Sequence, residues 1–255
     1  MRALGWVTVL FLGMVVIGRA GAEGAQDILK KAWRAAGGEA NLARYRAFRW
    51  KGNAKVYAGE RVIAITGEWL VEPPVRARVL TNDELNGRKS TRLLILNGDK
   101  GWAQIDGQTR SMPPEFFSHE REQFYLYYLM RLVPLKDTAF RLSRLAASDD
   151  QALIGLRVSH KEHADVDLFF DRARWLLVKM STRRRDPISG KEVAEELLLR
   201  DHTVHGQKNR AKRVNGGILW PARISIRWDS SPYFDLEITE FAPLEAVNEH
   251  LFAEP

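Results

Sequence analysis

Hydrophobic and polar positions alternate with a period of two along most of the chain beyond residue 47. Between Phe48 and Val56, aromatic, small or apolar residues occupy one parity, and Arg49, Lys51 and other polar residues occupy the other. This alternation predicts a strand with one buried and one solvated face. About a dozen segments of this kind follow at short intervals, separated by turn signals such as Asn86-Gly87.

Two segments have a helical period instead. In residues 25–37 the apolar positions recur at helical spacing, and Gly37-Gly38 provides a stop. Residues 113–133 begin with Pro113-Pro114 and become apolar on nearly all sides, which predicts a helix buried on more than one side. A weaker turn is expected through Leu42, and a short final helix over residues 244–250.

These elements predict a mainly β protein in a single domain. The helices stand between runs of strands rather than alternating with each strand, which disfavours βαβ units. A large antiparallel sheet twists and curls, and its apolar face must be covered. We therefore expect a large curled antiparallel sheet that forms an unclosed half-barrel covered by helices, an architecture that can hold a ligand cavity.

The first 22 residues have the pattern of a secretory signal peptide. Arg2 is followed by an uncharged, largely apolar run from Leu4 to Ile17 and by the small residues Ala20-Gly21-Ala22. Residues 23–255 would then form the mature domain, and the expected location is the periplasm. An uncleaved anchor is the alternative, although the run is short for a membrane span.

Composition and charge narrow the chemistry. The 255 residues include no cysteine, which excludes disulfides, cysteine-ligated metals and cysteine nucleophiles. The net charge of +7 at pH 7 favours acidic partners. Export argues against nucleic acid, so anionic lipid or an envelope polymer is the better expectation.

The sequence has no motif for a nucleophile, a dinucleotide or a phosphate-binding loop, so we predict no catalytic residue and no cofactor. His119-Glu120 begins a zinc-helix pattern, but Gln123 stands where the second histidine is required. His119 is therefore expected to be a solvated helix residue.

A cluster of His160, His163, Asp165 and Asp167 could bind a divalent metal in an exported hydrolase. The alternation offers a simpler interpretation, because it places both aspartates on the wet face of a strand and both histidines at a hairpin turn. The metal-dependent hydrolase is kept as an alternative function.

Two basic stretches are expected to be solvated. One is Arg183-Arg184-Arg185, at a strand end. The other is a polar insert that carries Lys208, Arg210, Lys212 and Arg213. The insert could also contact anionic head groups, at roughly 1 kcal/mol per cation. A further alternative is a periplasmic adaptor that binds protein or polysaccharide through this loop.

Aromatic and aliphatic residues suggest a hydrophobic cavity between the sheet and the helix over 113–133. Burying one acyl CH2 there gains about 0.8 kcal/mol, so an acyl chain could bind without any catalytic group. The predicted lining residues are Phe48, Trp50, Trp69, Val79, Leu93, Trp102, Phe116, Phe117, Phe124, Tyr125, Tyr128 and Leu129.

Several segments in order resemble the LolA-like family of periplasmic outer-membrane lipoprotein-sorting and lipid-carrier proteins. They include Phe48-Arg-Trp-Lys-Gly52, the turn Leu96-Asn-Gly-Asp-Lys-Gly-Trp102, the aromatic helix through Tyr125-Leu-Tyr-Tyr-Leu129 and the closing Phe252-Ala-Glu-Pro255. The resemblance extends over nearly the whole mature chain. Each of these motifs is a structural feature, and none contains a residue that could be transferred as catalytic.

The resemblance implies an unclosed barrel with a helical lid and non-covalent carriage of acyl chains, without enzymatic activity. The implied partners are a lipid or an acylated protein, together with inner- and outer-membrane assembly components, and the protein is expected to be a monomer. Lipoprotein carriers of the family rely on an arginine on the inner side of the sheet. Arg49 matches this arginine by its early position, but the alternation places its side chain on the outer side of the sheet. We therefore do not assign the role of that arginine to Arg49, and the sequence does not decide between a lipoprotein and another lipid as the cargo.

Overall fold

A computed structural model describes residues 24–85, 87–146, 150–206 and 217–255. The predicted signal peptide and the basic insert with Lys208, Arg210, Lys212 and Arg213 lie outside these ranges.

Within the described residues, three α-helices cover one face of the sheet. They are α1 (Ala25–Ala35), α2 (Glu39–Arg44) and α3 (Pro114–Met130), and a 3-10 helix over Val133–Lys136 follows α3. Both longer helices were predicted, and α1 ends before Gly37 and Gly38, which have positive φ angles of 120° and 90°. A Cβ at Gly37 would lie 2.3 Å from the carbonyl oxygen of Gly217, so the close approach of two segments requires glycine there.

The strands of the described ranges form one antiparallel sheet. They are β1 (Ala47–Ala58), β2 (Arg61–Glu72), β3 (Arg76–Leu85), β4 (Arg88–Asn97), β5 (Lys100–Ile105), β6 (Gln108–Ser111), β7 (Arg141–Arg144), β8 (Leu153–His160), β9 (His163–Asp171), β10 (Leu177–Arg185), β11 (Glu192–His205), β12 (Ile218–Trp228) and β13 (Ser231–Leu244).

The strand order is β6-β5-β4-β3-β2-β1-β13-β12-β11-β10-β9-β8-β7, so β1 pairs with β13 and the two edges are β6 and β7. Helix α3 lies between these edge strands in the chain. The sheet is unclosed and antiparallel, which confirms the predicted half-barrel.

The two faces of the sheet follow the predicted alternation. Trp50 pairs with Trp69, Trp69 with Val79, and Val79 with Leu94 across four strands. We call this face, which the helices cover, the inner face, and the opposite one the outer face. The main hydrophobic core lies on the inner face and includes the buried side of α1 and the second half of α3.

Two segments differ from the sequence prediction. Strand β6 was not predicted, because Gln108–Ser111 contains no apolar residue. The predicted helix over 244–250 is wrong: β13 continues to Leu244, and a 3-10 helix over Glu249–Phe252 follows. This helix packs Phe252 against the outer face, where it forms a second core with Leu70, Ile95 and Trp102.

Among the described helices, none combines the length and the hydrophobicity that crossing a bilayer requires.

Candidate ligand-binding site

Six of the predicted lining residues pack into the main core between α3 and the inner face. They are Phe48, Trp50, Trp69, Phe124, Tyr125 and Leu129. The Trp50 ring stacks on Trp69 at a centroid distance of 6.2 Å and meets Tyr127 of α3 edge-on at 5.4 Å. The expected cavity is therefore filled at this point by the protein's own aromatic rings.

Beyond the second half of α3, the inner face is only partly covered. Its apolar part, which we call the open apolar surface, consists of Val56, Ile63, Ile65, Val79, Leu94 and Ile105, the last of which is 51% exposed. An ion pair interrupts this surface: Asp83 pairs with Ile65, Arg92 pairs with Ile105, and Arg92 Nη1 lies 3.1 Å from Asp83 Oδ2. The predicted residues Phe116 and Phe117 belong to the first half of α3, and Phe116 is 40% exposed. The predicted Tyr128 is partly buried beside Phe140, with ring centroids 6.4 Å apart.

Two predicted lining residues belong to the other face of the sheet. Trp102 pairs with Ile95, and both lie in the outer core with Phe252. Leu93 packs against the same outer core. The prediction that Leu93 and Trp102 share a cavity with Trp50 is therefore wrong, because the 3-10 helix near the end of the chain covers an outer apolar patch that the alternation alone does not reveal.

The interior contains a buried ion pair that sequence reasoning missed. Arg184 of β10 is 7% exposed, and its Nη1 lies 2.9 Å from both carboxylate oxygens of Glu195, which is 0% exposed. Nη1 also donates to Gln123 Oε1 at 3.0 Å, and Nη2 donates to the carbonyl oxygen of His119. Trp228 Nε1 donates to Glu195 at 2.7 Å. One guanidinium thus joins α3 to two strands.

The expectation that all of Arg183-Arg184-Arg185 is solvated is wrong for Arg184. Its side chain shares the parity of Met180, which is fully buried on the inner face. Arg183 and Arg185, which have the opposite parity, are exposed as expected. Arg49 is also exposed and lies on the outer face, in agreement with its alternation.

His119 is partly buried rather than solvated. Its ring meets Trp228 edge-on at 5.7 Å. Burial, assisted by the charge of Arg184, lowers the pKa of His119 to about 4. Burial also raises the pKa of the neighbouring Glu120 to about 7, against the effect of Arg184. The first half of α3 therefore carries two titratable groups with opposite shifts.

The histidines and aspartates of the proposed metal cluster do not converge. His160 ends β8 and His163 begins β9, with the rings 5.3 Å apart, whereas Asp167 binds Arg157 by two hydrogen bonds of 2.7 and 2.8 Å on the outer face. The ring of His163 stacks on Tyr125 at 3.6 Å. Within the described ranges, no group of three or more such side chains has the arrangement of a metal site.

Among the clefts in the described part of the chain, two bear on ligand binding. The α3–β10 cleft has a volume of about 470 Å³ and lies between α3, the β8–β9 turn and β10. A larger trough of about 1030 Å³ crosses the outer face from β4 to β11. Polar side chains such as Asn53, Thr66 and Asn82 stand along this trough, as expected for the solvated face of these strands.

No protein-family model matches the chain, and no curated protein matches it. Solved structures do. A LolA superfamily protein from Nitrosomonas europaea superposes with a TM-score of 0.56 at 12% identity, over 91% of this chain and 98% of that one. A DUF1329 family protein from Desulfovibrio piger gives a TM-score of 0.54 at 9% identity, over 91% and 98% of the two chains.

A domain assigned to an outer membrane lipoprotein-sorting protein from Vibrio parahaemolyticus gives a TM-score of 0.51 at 12% identity, over 88% of this chain and 97% of that chain. At these identities the likeness establishes the fold. The chain has a LolA-like fold, as its sequence segments predicted.

Proposed function

We propose that the protein is an exported, non-enzymatic carrier that binds the acyl chain of a lipid or an acylated protein on the inner face of its half-barrel. The observation that carries this proposal is the open apolar surface on β1 to β5, which the helices leave partly exposed around the Asp83–Arg92 ion pair. Exposed apolar surface with a polar neighbourhood is typical of ligand-binding grooves. A solved structure with the same fold is assigned to outer membrane lipoprotein sorting, which agrees with this function.

The geometry suggests where an acyl chain would lie. The second half of α3 is buried against the core, whereas its first half is largely exposed and places Phe117 beside the inner face. A chain that enters between Phe117 and Leu94 contacts apolar side chains on both sides. The buried half of α3 can stay in place as an anchor, whereas outward movement of the first half requires release of the His119 carbonyl oxygen from Arg184 and of Glu122 from His163.

The energy available is sufficient for a carrier. Ten methylenes transferred from water to this surface gain about 8 kcal/mol at most. Loss of translational and rotational freedom offsets several kcal/mol of this gain. The expected dissociation constant is therefore in the micromolar to millimolar range, which permits release to an acceptor. Export by the predicted signal peptide and delivery to membrane assembly components belong to the same proposal.

Binding of a dansylated undecanoic acid, followed by fluorescence, tests the proposal with a matched pair of variants. Leu94 and Leu93 are neighbours on β4, are both partly exposed, and lie on opposite faces. Leu94→Asn should weaken binding about tenfold, because a leucine contact with the chain is lost. Leu93→Asn should change the affinity less than twofold. Equal effects, or no binding to the wild type, would refute the site.

A further inference from the structure

The turns between strands define two ends of the half-barrel. The chain reverses after β1, β8, β10 and β12 at one end of the antiparallel sheet, and after β2, β4 and β9 at the opposite end. We call the first of these the hairpin end. Helix α3 also begins there, because Glu115 in its first turn lines the α3–β10 cleft together with Asp186 and Gly190 of the β10–β11 turn.

An isoleucine projects from the β10–β11 turn at the hairpin end. Ile188 is 85% exposed, the largest value among the large apolar side chains of the described ranges. The Asp186 carboxylate accepts hydrogen bonds from the N–H of Ile188, at 2.9 Å, and from the Ser189 hydroxyl. The N–H of Gly190 donates to the Asp186 carbonyl oxygen at 2.9 Å. A hydrogen-bonded turn therefore holds this isoleucine out in solvent.

Phe116 adds a second exposed apolar side chain at the hairpin end. It lies in the first turn of α3 and is 40% exposed. The next residue, Phe117, packs against the main core. Phe116 thus stands beside the part of α3 where, under the proposed function, an acyl chain enters.

Uncommitted cations flank the same turn. Arg185 precedes the turn and Lys191 ends it, and both are exposed. Neither side chain has a hydrogen bond or an ion pair with any residue in the described ranges. The carboxylate of Glu192 is engaged with Arg183 at 2.9 Å, whereas the exposed Glu115 has no such partner there. Two uncommitted cations thus stand against one uncommitted carboxylate.

Two protruding apolar side chains with cations beside them suit a lipid bilayer better than a protein partner. A stable protein interface buries roughly 800 Å² on each partner, whereas a buried aromatic side chain contributes at most about 250 Å². Ile188 and Phe116 together supply much less area than such an interface requires. A bilayer accepts single apolar side chains at the boundary of its acyl region, with basic side chains at the level of the head groups.

From these observations we propose that the hairpin end docks on the surface of a bilayer that contains anionic lipid. Ile188 and Phe116 enter the boundary between head groups and acyl chains, and Arg185 and Lys191 contact lipid phosphates. The inference rests on the proposed carrier function in one respect, because docking places the entry beside Phe117 next to the acyl chains that a carrier takes up or releases.

A single fluorescent label tests the docking, because the chain contains no cysteine. In Ile188→Cys the thiol carries an environment-sensitive NBD group. We expect vesicles of phosphatidylcholine with about a quarter phosphatidylglycerol to shift its emission to shorter wavelength, as the label leaves water. Val75→Cys places the same label in the β2–β3 turn at the opposite end, where the native valine is 50% exposed, and should show no shift. The local signal also separates docking from vesicle binding by residues 4–17.

Vesicle titrations of the label at position 188 measure the contribution of neighbouring side chains. Phe116→Ser should weaken vesicle binding about tenfold, because one apolar side chain no longer leaves water. The control Leu251→Ser alters a side chain of similar exposure, 47%, in the 3-10 helix on the outer face, and should have less than a twofold effect. Arg185→Gln should weaken binding about fivefold on the anionic vesicles and leave pure phosphatidylcholine unaffected. The exposed Arg49 provides the charge control, and Arg49→Gln should change neither affinity more than twofold.

The outcomes distinguish docking from the carrier function. Arg185→Gln should keep its affinity for dansylated undecanoic acid within twofold of the wild type, because Arg185 is not part of the open apolar surface. If the fatty acid binds but the labels at 188 and 75 respond alike to vesicles, or not at all, the docking is refuted and the carrier function stands. If only the label at 188 responds and no fatty acid binds, the carrier function fails and the docking stands. If ultracentrifugation shows a dimer that Ile188→Ser dissociates, the hairpin end is a protein interface and the docking is refuted.

Discussion

Removing the guanidinium of Arg184 should be among the most damaging single substitutions in the described part of the chain. In Arg184→Met the methionine fills much of the same volume, but Glu195 is left fully buried without its counterion. The carbonyl oxygen of His119 and the side chain of Gln123 lose their donor at the same time. The substitution therefore destabilises both the core and the attachment of α3.

The expected magnitude follows from the burial of the pair. Removing one partner of a buried ion pair costs about 3–5 kcal/mol. For a domain of this size, this corresponds to a decrease in Tm on the order of 10 °C. Urea unfolding followed by tryptophan fluorescence gives the free energy of unfolding. Amide hydrogen exchange should also be accelerated in Arg184→Met relative to the wild type, and this acceleration should be larger in α3 than in β12.

The neighbouring Arg183 provides the control. It binds Glu192 at 2.9 Å, but the two side chains are 74% and 64% exposed, so Arg183→Met should cost at most about 1 kcal/mol. The double variant Arg184→Met/Glu195→Leu should regain much of the lost stability, because no charge is then buried alone. Equal losses in the two arginine variants would refute the interpretation of Arg184 as a buried connection between α3 and the sheet.

Three further predictions concern other parts of the fold. Folding raises the pKa of Glu120 from 4.5 to about 7, so the contribution of this group to the free energy of unfolding falls as the pH rises between these two values. Folding lowers the pKa of His119 from 6.5 to about 4, so the contribution of His119 rises with pH between those values. Urea midpoints at pH 4.5, 5.5 and 6.5 should therefore rise in Glu120→Gln and fall in His119→Gln, and parallel slopes would contradict the shifts. Phe252→Ala should cost about 3–5 kcal/mol in urea unfolding yet leave acyl binding unchanged, since Phe252 is buried on the outer face, and lost binding would contradict that placement. Gly37→Ala should lower Tm by several degrees, because its Cβ would meet the Gly217 carbonyl oxygen, and an unchanged Tm would contradict the close approach.

The strands could be predicted where one face of the sheet is covered and the other is wet. In β1 the alternation of Phe48 and Trp50 with Arg49 and Lys51 identified both the strand and its buried face. The same pattern fails in β4, where residues 93–96 are all apolar. Both faces of that strand are covered, the outer one by Phe252, and periodicity alone cannot show which residue faces which cover.

The site was harder to predict because it depends on contacts between distant segments. Arg184 lies in a run of three arginines, a pattern typical of solvated surface, and its burial depends on the position of Glu195 on the next strand. His119 was expected to be solvated because Trp228, which covers it, is more than a hundred residues away in the sequence. The parity of Arg184 with Met180 was the one available signal for the inward direction of that side chain.

A photoreactive fatty acid, with a diazirine near the end of its chain, tests the binding of an acyl chain to the inner face most directly. After irradiation, mass spectrometry of the digested protein locates the covalent adducts. We expect them on peptides that contain Ile65, Val79, Leu94 or Phe117, and we expect an excess of unlabelled fatty acid to suppress them. Adducts confined to the outer face, around Leu93 and Phe252, would contradict the carrier proposal.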